Sequence, residues 1–165
     1  MPFENSTIHF LQKQWVQNLL ASLALSFDLP ILDWIQANLQ SPFLDFIMPW
    51  ITMLGDAGIF WIALSVLFLL FPKYRKIGLG MGAALLMGVL VCNVTMKPLF
   101  ARIRPYDYQL EHFGRTIQLL VATPHDFSFP SGHTIASFEA AVALTVRHKK
   151  LGAVAMVLAV LIAFS

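Results

Sequence analysis

The chain has 165 residues, of which 58% are hydrophobic and 12% charged, with a formal net charge of +2. A soluble domain carries about 25% charged residues, so about half the expected charge is missing, which excludes an ordinary water-soluble globule and favours one compact membrane-embedded bundle. The single cysteine, Cys92, excludes an intramolecular disulfide and a cysteine-rich metal site, and its apolar surroundings make it an inert buried thiol.

In chain order, residues 1–50 form an N-terminal segment apart from the core at 51–165. Residues 10–27 are apolar only in their second half, with Gln12, Lys13, Gln14, Gln17 and Asn18 in the first, so they either lie on the membrane or cross it. In "ILDWIQANL", Ile31, Trp34, Ile35 and Leu39 share one helical face, which predicts an amphipathic helix at the interface. The run "GIFWIALSVLFLLF" at 58–71 predicts a membrane span, extended backwards through 51–54 and closed by Pro72 and the cations Lys73, Arg75 and Lys76. Residues 77–96 predict another span, about 30 Å long as a helix. Its Gly78, Gly80, Gly82 and Gly88 permit close helix contact.

Residues 97–128 are polar and interrupted by Pro98, Pro105 and Pro124, which predicts an extramembrane loop with short helical pieces. Apolar helices follow at 132–146, ended by "RHKK", and at 151–165. The predicted fold class is all-α: a multi-pass transmembrane helical bundle with an N-terminal amphipathic interfacial helix.

The basic clusters Lys73, Arg75, Lys76 and Arg147, Lys149, Lys150 each separate two apolar runs. That placement marks cytoplasmic loops rather than a nucleic-acid surface. If both loops are cytoplasmic, the helix at 77–96 runs outward and the helix starting near Ser131 runs inward. "KPLFARIRP" and "FPSGH" then meet on the non-cytoplasmic side.

Lys97, Arg102 and Arg104 put three cations at this membrane edge. Lys97 and Arg104 are seven apart, which permits a shared helical face, within the limit Pro98 sets. One reading is headgroup binding by snorkelling side chains. In "FPSGHT", Pro130 suits the first turn of a helix and Ser128 or Ser131 its cap. Gly132 lets an anion approach backbone N–H groups that carry partial positive charge. His133 gives or takes a proton near neutral pH. By itself this segment is equally an ordinary capped membrane helix with an incidental histidine. Cations, a helix N-terminus and a histidine on one face are what phosphoryl binding needs.

At these residues the chain resembles the type 2 phosphatidic acid phosphatases, which are related to bacterial undecaprenyl-diphosphate phosphatases and the vanadium haloperoxidases. "KPLFARIRP" matches their Lys-x6-Arg-Pro motif at Lys97, Arg104 and Pro105, and "PSGH" their second motif at Pro130, Ser131, Gly132 and His133. The resemblance extends over roughly residues 31–165. It implies a metal-independent, cofactor-free lipid phosphatase in a bacterial-type plasma membrane, with a lipid phosphate or diphosphate as substrate, membrane lipids as surroundings and no nucleic-acid partner. Lys97 and Arg104 would hold phosphate oxygens, the Ser131 side chain and Gly132 backbone would complete the cradle, and His133 would be the general acid. The family's nucleophile is a second histidine that forms a phospho-enzyme, oriented by an aspartate in a motif Ser-Arg-x5-His-x3-Asp.

That third motif is absent from "LIAFS", where residue 165 falls. Residues 151–165 span about 21 Å as a helix, which brings Ser165 to about the depth of His133. Ser165 is therefore expected to be the motif's first serine, in a chain truncated before the nucleophile and inactive as it stands. The alternative is a catalytically inactive anion-binding or structural membrane protein. A haloperoxidase fits the motifs, but those relatives are soluble.

Of the other polar residues, His112 and His125 in the loop lack the serine–arginine context of the nucleophile and read as solvated. Glu139, six residues beyond His133, is either functional or a carboxyl protonated or paired inside the bundle. Asn93 and Thr95 read as helix contacts, and Asp56 in "LGDAG" as a turn or cap residue. Asp107, Glu111 and Arg115 carry a weak substrate-contact signal.

Overall fold

A computed structural model describes residues 14–16, 18–114, 120–121 and 126–165. Among the described residues every regular element is helical. A π-helical turn (Ala24–Asp28) leads into α1 (Leu29–Leu39), followed by α2 (Pro42–Gly55), a 3-10 turn (Asp56–Gly58), α3 (Ile59–Leu70) and α4 (Arg75–Gly88). The chain continues through a π-helix (Val89–Met96) into α5 (Lys97–Phe100), then α6 (Pro105–Phe113), α7 (Gly132–Arg147) and α8 (Lys149–Phe164). Three helical stretches have the length and hydropathy of a membrane span: Gln14–Leu39, Pro42–Leu70 and Arg75–Phe113. α7 and α8 are shorter, sixteen residues each, or about 24 Å.

The second stretch is not one continuous helix. Ala57 (φ 48°) and Gly58 (φ 68°) are left-handed and break it after Asp56. The apolar stretch does extend back through 51–54, as expected, but across this break: those residues belong to α2, and α3 starts at Ile59. The third stretch breaks at Ala101 (φ 44°), three residues beyond Pro98. Pro98 sits in the first turn of α5, where its missing N–H costs little.

The core joins Trp61 of α3, Ile77, Met81 and Leu85 of α4, Ala140, Ala141 and Leu144 of α7, and Ala155, Ala159 and Ile162 of α8. α7 packs against α8 and α4, α4 against α3, and α2 along α7 and α8. Small residues dominate the α7–α8 seam, while Leu70, Leu79, Val146, Val154 and Val157 face outward, all more than half exposed. Lipid is as apolar as a leucine side chain, so helices here associate by close packing and let their large residues face the acyl chains.

Two glycines let neighbouring backbones approach most closely. A Cβ on Gly78 would lie 2.7 Å from the Ser65 carbonyl oxygen of α3, and one on Gly152 would collide with the Thr145 backbone of α7. Of the remaining glycines expected to permit contact, Gly82 faces the Ser65 hydroxyl and Gly88 leaves the room that the Glu139 carboxyl fills. Gly80 has no neighbour within 4 Å of such a Cβ and makes no close helix contact.

In the N-terminal segment, Ile31, Trp34 and Leu39 are exposed and Ile35 is half-buried, so the apolar face of α1 is largely uncovered by the described residues. The Gln12, Lys13 and Gln17 positions lie outside the described residues. Arg102 forms an ion pair with Asp28, which ties this segment to the chain beyond α5.

The two basic turns lie at one end of the bundle. α4 leads from the first of them toward Lys97, and α7 starts beside Lys97, at Gly132, and ends in the second. Gly152→Ala, which forces a methyl into the Thr145 backbone, is expected to cost about 1–3 kcal/mol and to lower the thermal midpoint in detergent, whereas Gly80→Ala leaves it unchanged or slightly raised.

Candidate active site

The first cationic motif is shaped by two breaks in helical geometry. Asn93 and Lys97 lie four apart across the end of the π-helix, a distortion that widens the turn and is common at functional sites. The left-handed Ala101 then turns the chain, and Arg104, preceding a proline, is extended (ψ 146°) as such residues favour. Lys97 and Arg104 thus do not share a helical face, as their spacing permitted. They converge across the bend on a third residue, Asp126.

Both cations hold that one carboxylate. Lys97 Nζ donates to Asp126 Oδ2, and Arg104 donates from Nη2 to Oδ1 and from Nε to the Asp126 main-chain carbonyl, the last at 2.9 Å. The Lys97 side chain is 13% exposed and that of Asp126 52%. Burial alone would raise the Asp126 carboxyl, but the hydrogen bonds and charges of Lys97 and Arg104 outweigh it and lower it to about 2. Arg102, the third cation of the motif, turns away to Asp28.

The second motif is pinned to the first. The Ser128 N–H donates to the Arg102 carbonyl at 2.9 Å and its hydroxyl reaches the carbonyl of Ile103 at 3.1 Å. The Phe129 and Phe100 rings meet edge to face at 5.2 Å. Of the two serines that could cap α7, Ser131 does so, its Oγ accepting from the Thr134 N–H at 3.3 Å. The helix begins at Gly132, so Pro130 precedes the cap instead of occupying the first turn. A Cβ on Gly132 would stand 3.7 Å from both Lys97 Nζ and Asn93 Oδ1, which places the start of α7 directly beside the lysine.

His133 is held from behind. Its carbonyl accepts from the Ser137 hydroxyl at 2.7 Å, and Ser137 Oγ accepts from Trp61 Nε1–H at 2.9 Å, the latter deep in the core. The imidazole Nε2 is 3.4 Å from Asp56 Oδ1. Gly55 closes the other side: a Cβ there would come 2.9 Å from His133 Cδ2 and 2.6 Å from Ile162 Cγ2. The last turn of α8 therefore reaches the level of His133.

These groups open on a cavity of about 990 Å³. Asp56, Asn93, Lys97, Asp126, Gly132 and His133 supply its polar wall, and Met53, Ile62, Leu85, Val89 and Ile135 are among its apolar lining. Glu139 also lines it, with Oε2 buried and without a hydrogen-bond partner among the described residues. Lys97, Gly132 and His133 are thus brought together in the wall. Arg104 reaches the site through Asp126, and Ser131 stands at its edge as the cap of α7. Cys92 is buried, unbonded and at the cavity margin. His112 stacks on Tyr108 at 4.0 Å, and neither it nor Asp107 nor Glu111 lines the cavity. His125 and Arg115 lie outside the described residues.

Sequence reasoning overlooked Asp126 and underrated Asp56. The available signals were an aspartate just ahead of "PSGH" and one inside a glycine-flanked turn.

Two outcomes are expected. Because its folded value is lowered, Asp126 contributes stability above the ordinary carboxylate value of about 3.9 that is lost as pH falls toward 2. Carboxyl-carbon NMR should place its midpoint near pH 2, and an ordinary midpoint would contradict the double ion pair. Ser137→Ala strands the buried Trp61 N–H and should cost about 1–3 kcal/mol in unfolding measurements.

Comparison with known proteins identifies related sequences. The sequence model of the PAP2 superfamily matches residues 77–165. An undecaprenyl-diphosphatase from Sulfolobus acidocaldarius is 30% identical over 106 residues, covering 64% of this chain and 48% of that protein. The chain thus aligns with about half the length of this relative. No solved structure matches. With more than half its length matched by the family, and with both motifs of the cationic site inside that stretch, the chain belongs to the PAP2 superfamily.

Proposed function

We propose that this chain binds the phosphoryl group in an integral membrane lipid phosphatase that acts on a lipid phosphate or diphosphate at the non-cytoplasmic face. The observation that carries the reading is the convergence of Lys97 and Arg104 on a single anionic group beside the N-terminus of α7. In the working complex a phosphoryl group takes that place. Lys97 and Arg104 bind its oxygens, and the Gly132 N–H and Ser131 hydroxyl donate from the helix start. His133 protonates the leaving oxygen. The Asp56 carboxylate, 3.4 Å from Nε2, orients the ring.

The basic turns at the opposite end of the bundle support a non-cytoplasmic site, since such clusters remain on the cytoplasmic side. The apolar lining of the cavity suits a lipid chain below the headgroup. A diphosphate headgroup draws support from the undecaprenyl-diphosphatase relative. Phosphatidic acid and phosphatidylglycerol phosphate fit the same cradle chemistry. The reaction needs no metal in this reading, because cations and helix N–H groups supply the charge stabilisation.

Formation of a phosphohistidine is assigned to the family's third motif and to no residue of 1–165. The last turn of α8 ends against Gly55 and His133, so a motif following Ser165 would open onto the cavity. A second reading, a catalytically inactive anion-binding protein, rests on the same cradle without that nucleophile.

Assay of phosphate release separates the two. Residues 1–165 alone should turn over a lipid diphosphate negligibly, and normal turnover by them would overturn the phosphohistidine step. With the third motif present, His133→Ala should lower kcat by about 10²–10⁴, and an unchanged kcat would remove His133 from the chemistry. An inactive protein even with that motif would favour the second reading.

A further inference from the structure

The two cations that define the cradle are not waiting empty-handed. Each spends a donor on a different oxygen of one carboxylate: Lys97 on Oδ2 and Arg104 on Oδ1 of Asp126. An incoming phosphoryl group presents oxygens to those same donors. We propose that Asp126 is the resident anion of the cradle: its carboxylate holds Lys97 and Arg104 together in the unliganded protein, competes with phosphate for both, and so sets the affinity of the site. The inference rests on the phosphate-cradle reading above and adds to it a residue outside both family motifs.

Three features make Asp126 the partner that yields. First, one carboxylate neutralises only one of the two positive charges, so a cradle holding Asp126 still attracts a more highly charged anion. Second, the cations are the fixed side of the contact. The Lys97 and Arg104 side chains are 13% and 23% exposed, whereas that of Asp126 is 52% exposed and has water to turn into. Third, the backbone just beyond it is anchored, with the Ser128 N–H bonded to the Arg102 carbonyl at 2.9 Å and its hydroxyl near the Ile103 carbonyl. A displaced carboxylate therefore stays within reach of the cations. It can return as the product phosphate leaves, which keeps the site from being trapped by its own product.

The other acids of the cavity do not share this role. Asp56 faces His133, and Glu139 lies deeper, without a hydrogen-bond partner among the described residues.

A carboxylate that only pre-organised the two cations would instead raise phosphate affinity. Direct binding decides the sign. Inorganic phosphate is titrated calorimetrically into residues 1–165 in dodecyl maltoside, for the wild type, Asp126→Asn, Lys97→Ala and the double variant. Asp126→Ser is read alongside as a second removal of the charge, and circular dichroism confirms helical content in each protein.

Asp126→Asn and Asp126→Ser should bind phosphate about tenfold more tightly than the wild type, the worth of one displaced charge-assisted contact. Adding Lys97→Ala should abolish the gain. Equal or weaker binding by both Asp126 variants, with wild-type binding still dependent on Lys97, overturns the competition and leaves the cradle standing. A gain that survives Lys97→Ala places the effect elsewhere and overturns the inference. Absence of phosphate binding in every protein overturns both the cradle and the inference drawn from it.

Discussion

The site depends on opposite charges meeting across a break in a helix. Lys97 ends one helical run, Arg104 begins the next element, and a left-handed Ala101 lies between them. Two cations brought together repel each other, and at a membrane edge, where the dielectric falls, they repel more strongly. Asp126 removes that repulsion by accepting from both. Next to this triad, the chain from Asp126 to Ser131 lies alongside the 100–104 bend, where Ser128 and Phe129 fasten it. α7 consequently starts beside Lys97. The helix N-terminus, the cations and His133 share one cavity because the Ser128 and Phe129 contacts hold the entry of α7 beside the cations.

Behind the triad, the bundle supplies rigidity by close packing and not by water-driven burial. Its seam is built from Ala140, Ala141, Ala155 and Ala159, while larger apolar side chains project outward. Two of the polar groups inside are paired in a way that reaches the site. Trp61 binds Ser137, which binds the His133 carbonyl, so a contact between α3 and α7 fixes the rise of the histidine along its helix. Gly55 and Ile162 confine the ring itself. Position and depth of His133 are therefore properties of the whole four-helix core, although its chemistry is local.

Much of this was legible in the sequence for identifiable reasons. Apolar runs closed by "FPKYRK" and "RHKK" locate α3, α4 with the π-helix that follows it, α7 and α8 to within a few residues. Spacing and composition picked out Lys97, Gly132 and His133, all of which line the cavity. Two kinds of feature were hidden. Backbone breaks at Ala57 and Ala101 fall on alanine, a good helix former, so propensity opposes them and tertiary packing decides. Long-range charge pairs, such as Arg102 with Asp28 and Lys97 with Asp126, leave no local pattern, because any polar loop offers several candidate acids. Asp56 was masked for a related reason: an aspartate beside glycine reads as turn chemistry, and it is that as well as the neighbour of His133.

The central claim is that an anion binds where Lys97, Arg104 and the start of α7 converge. Crystals soaked in tungstate, a heavy tetrahedral stand-in for phosphate, test it most directly through anomalous scattering. The account predicts one strong peak within hydrogen-bonding reach of Lys97 Nζ, the Arg104 guanidinium and the Gly132 N–H, with the Asp126 carboxylate turned away. A peak bound elsewhere, or none at this convergence while Asp126 stays paired at saturating tungstate, would contradict it.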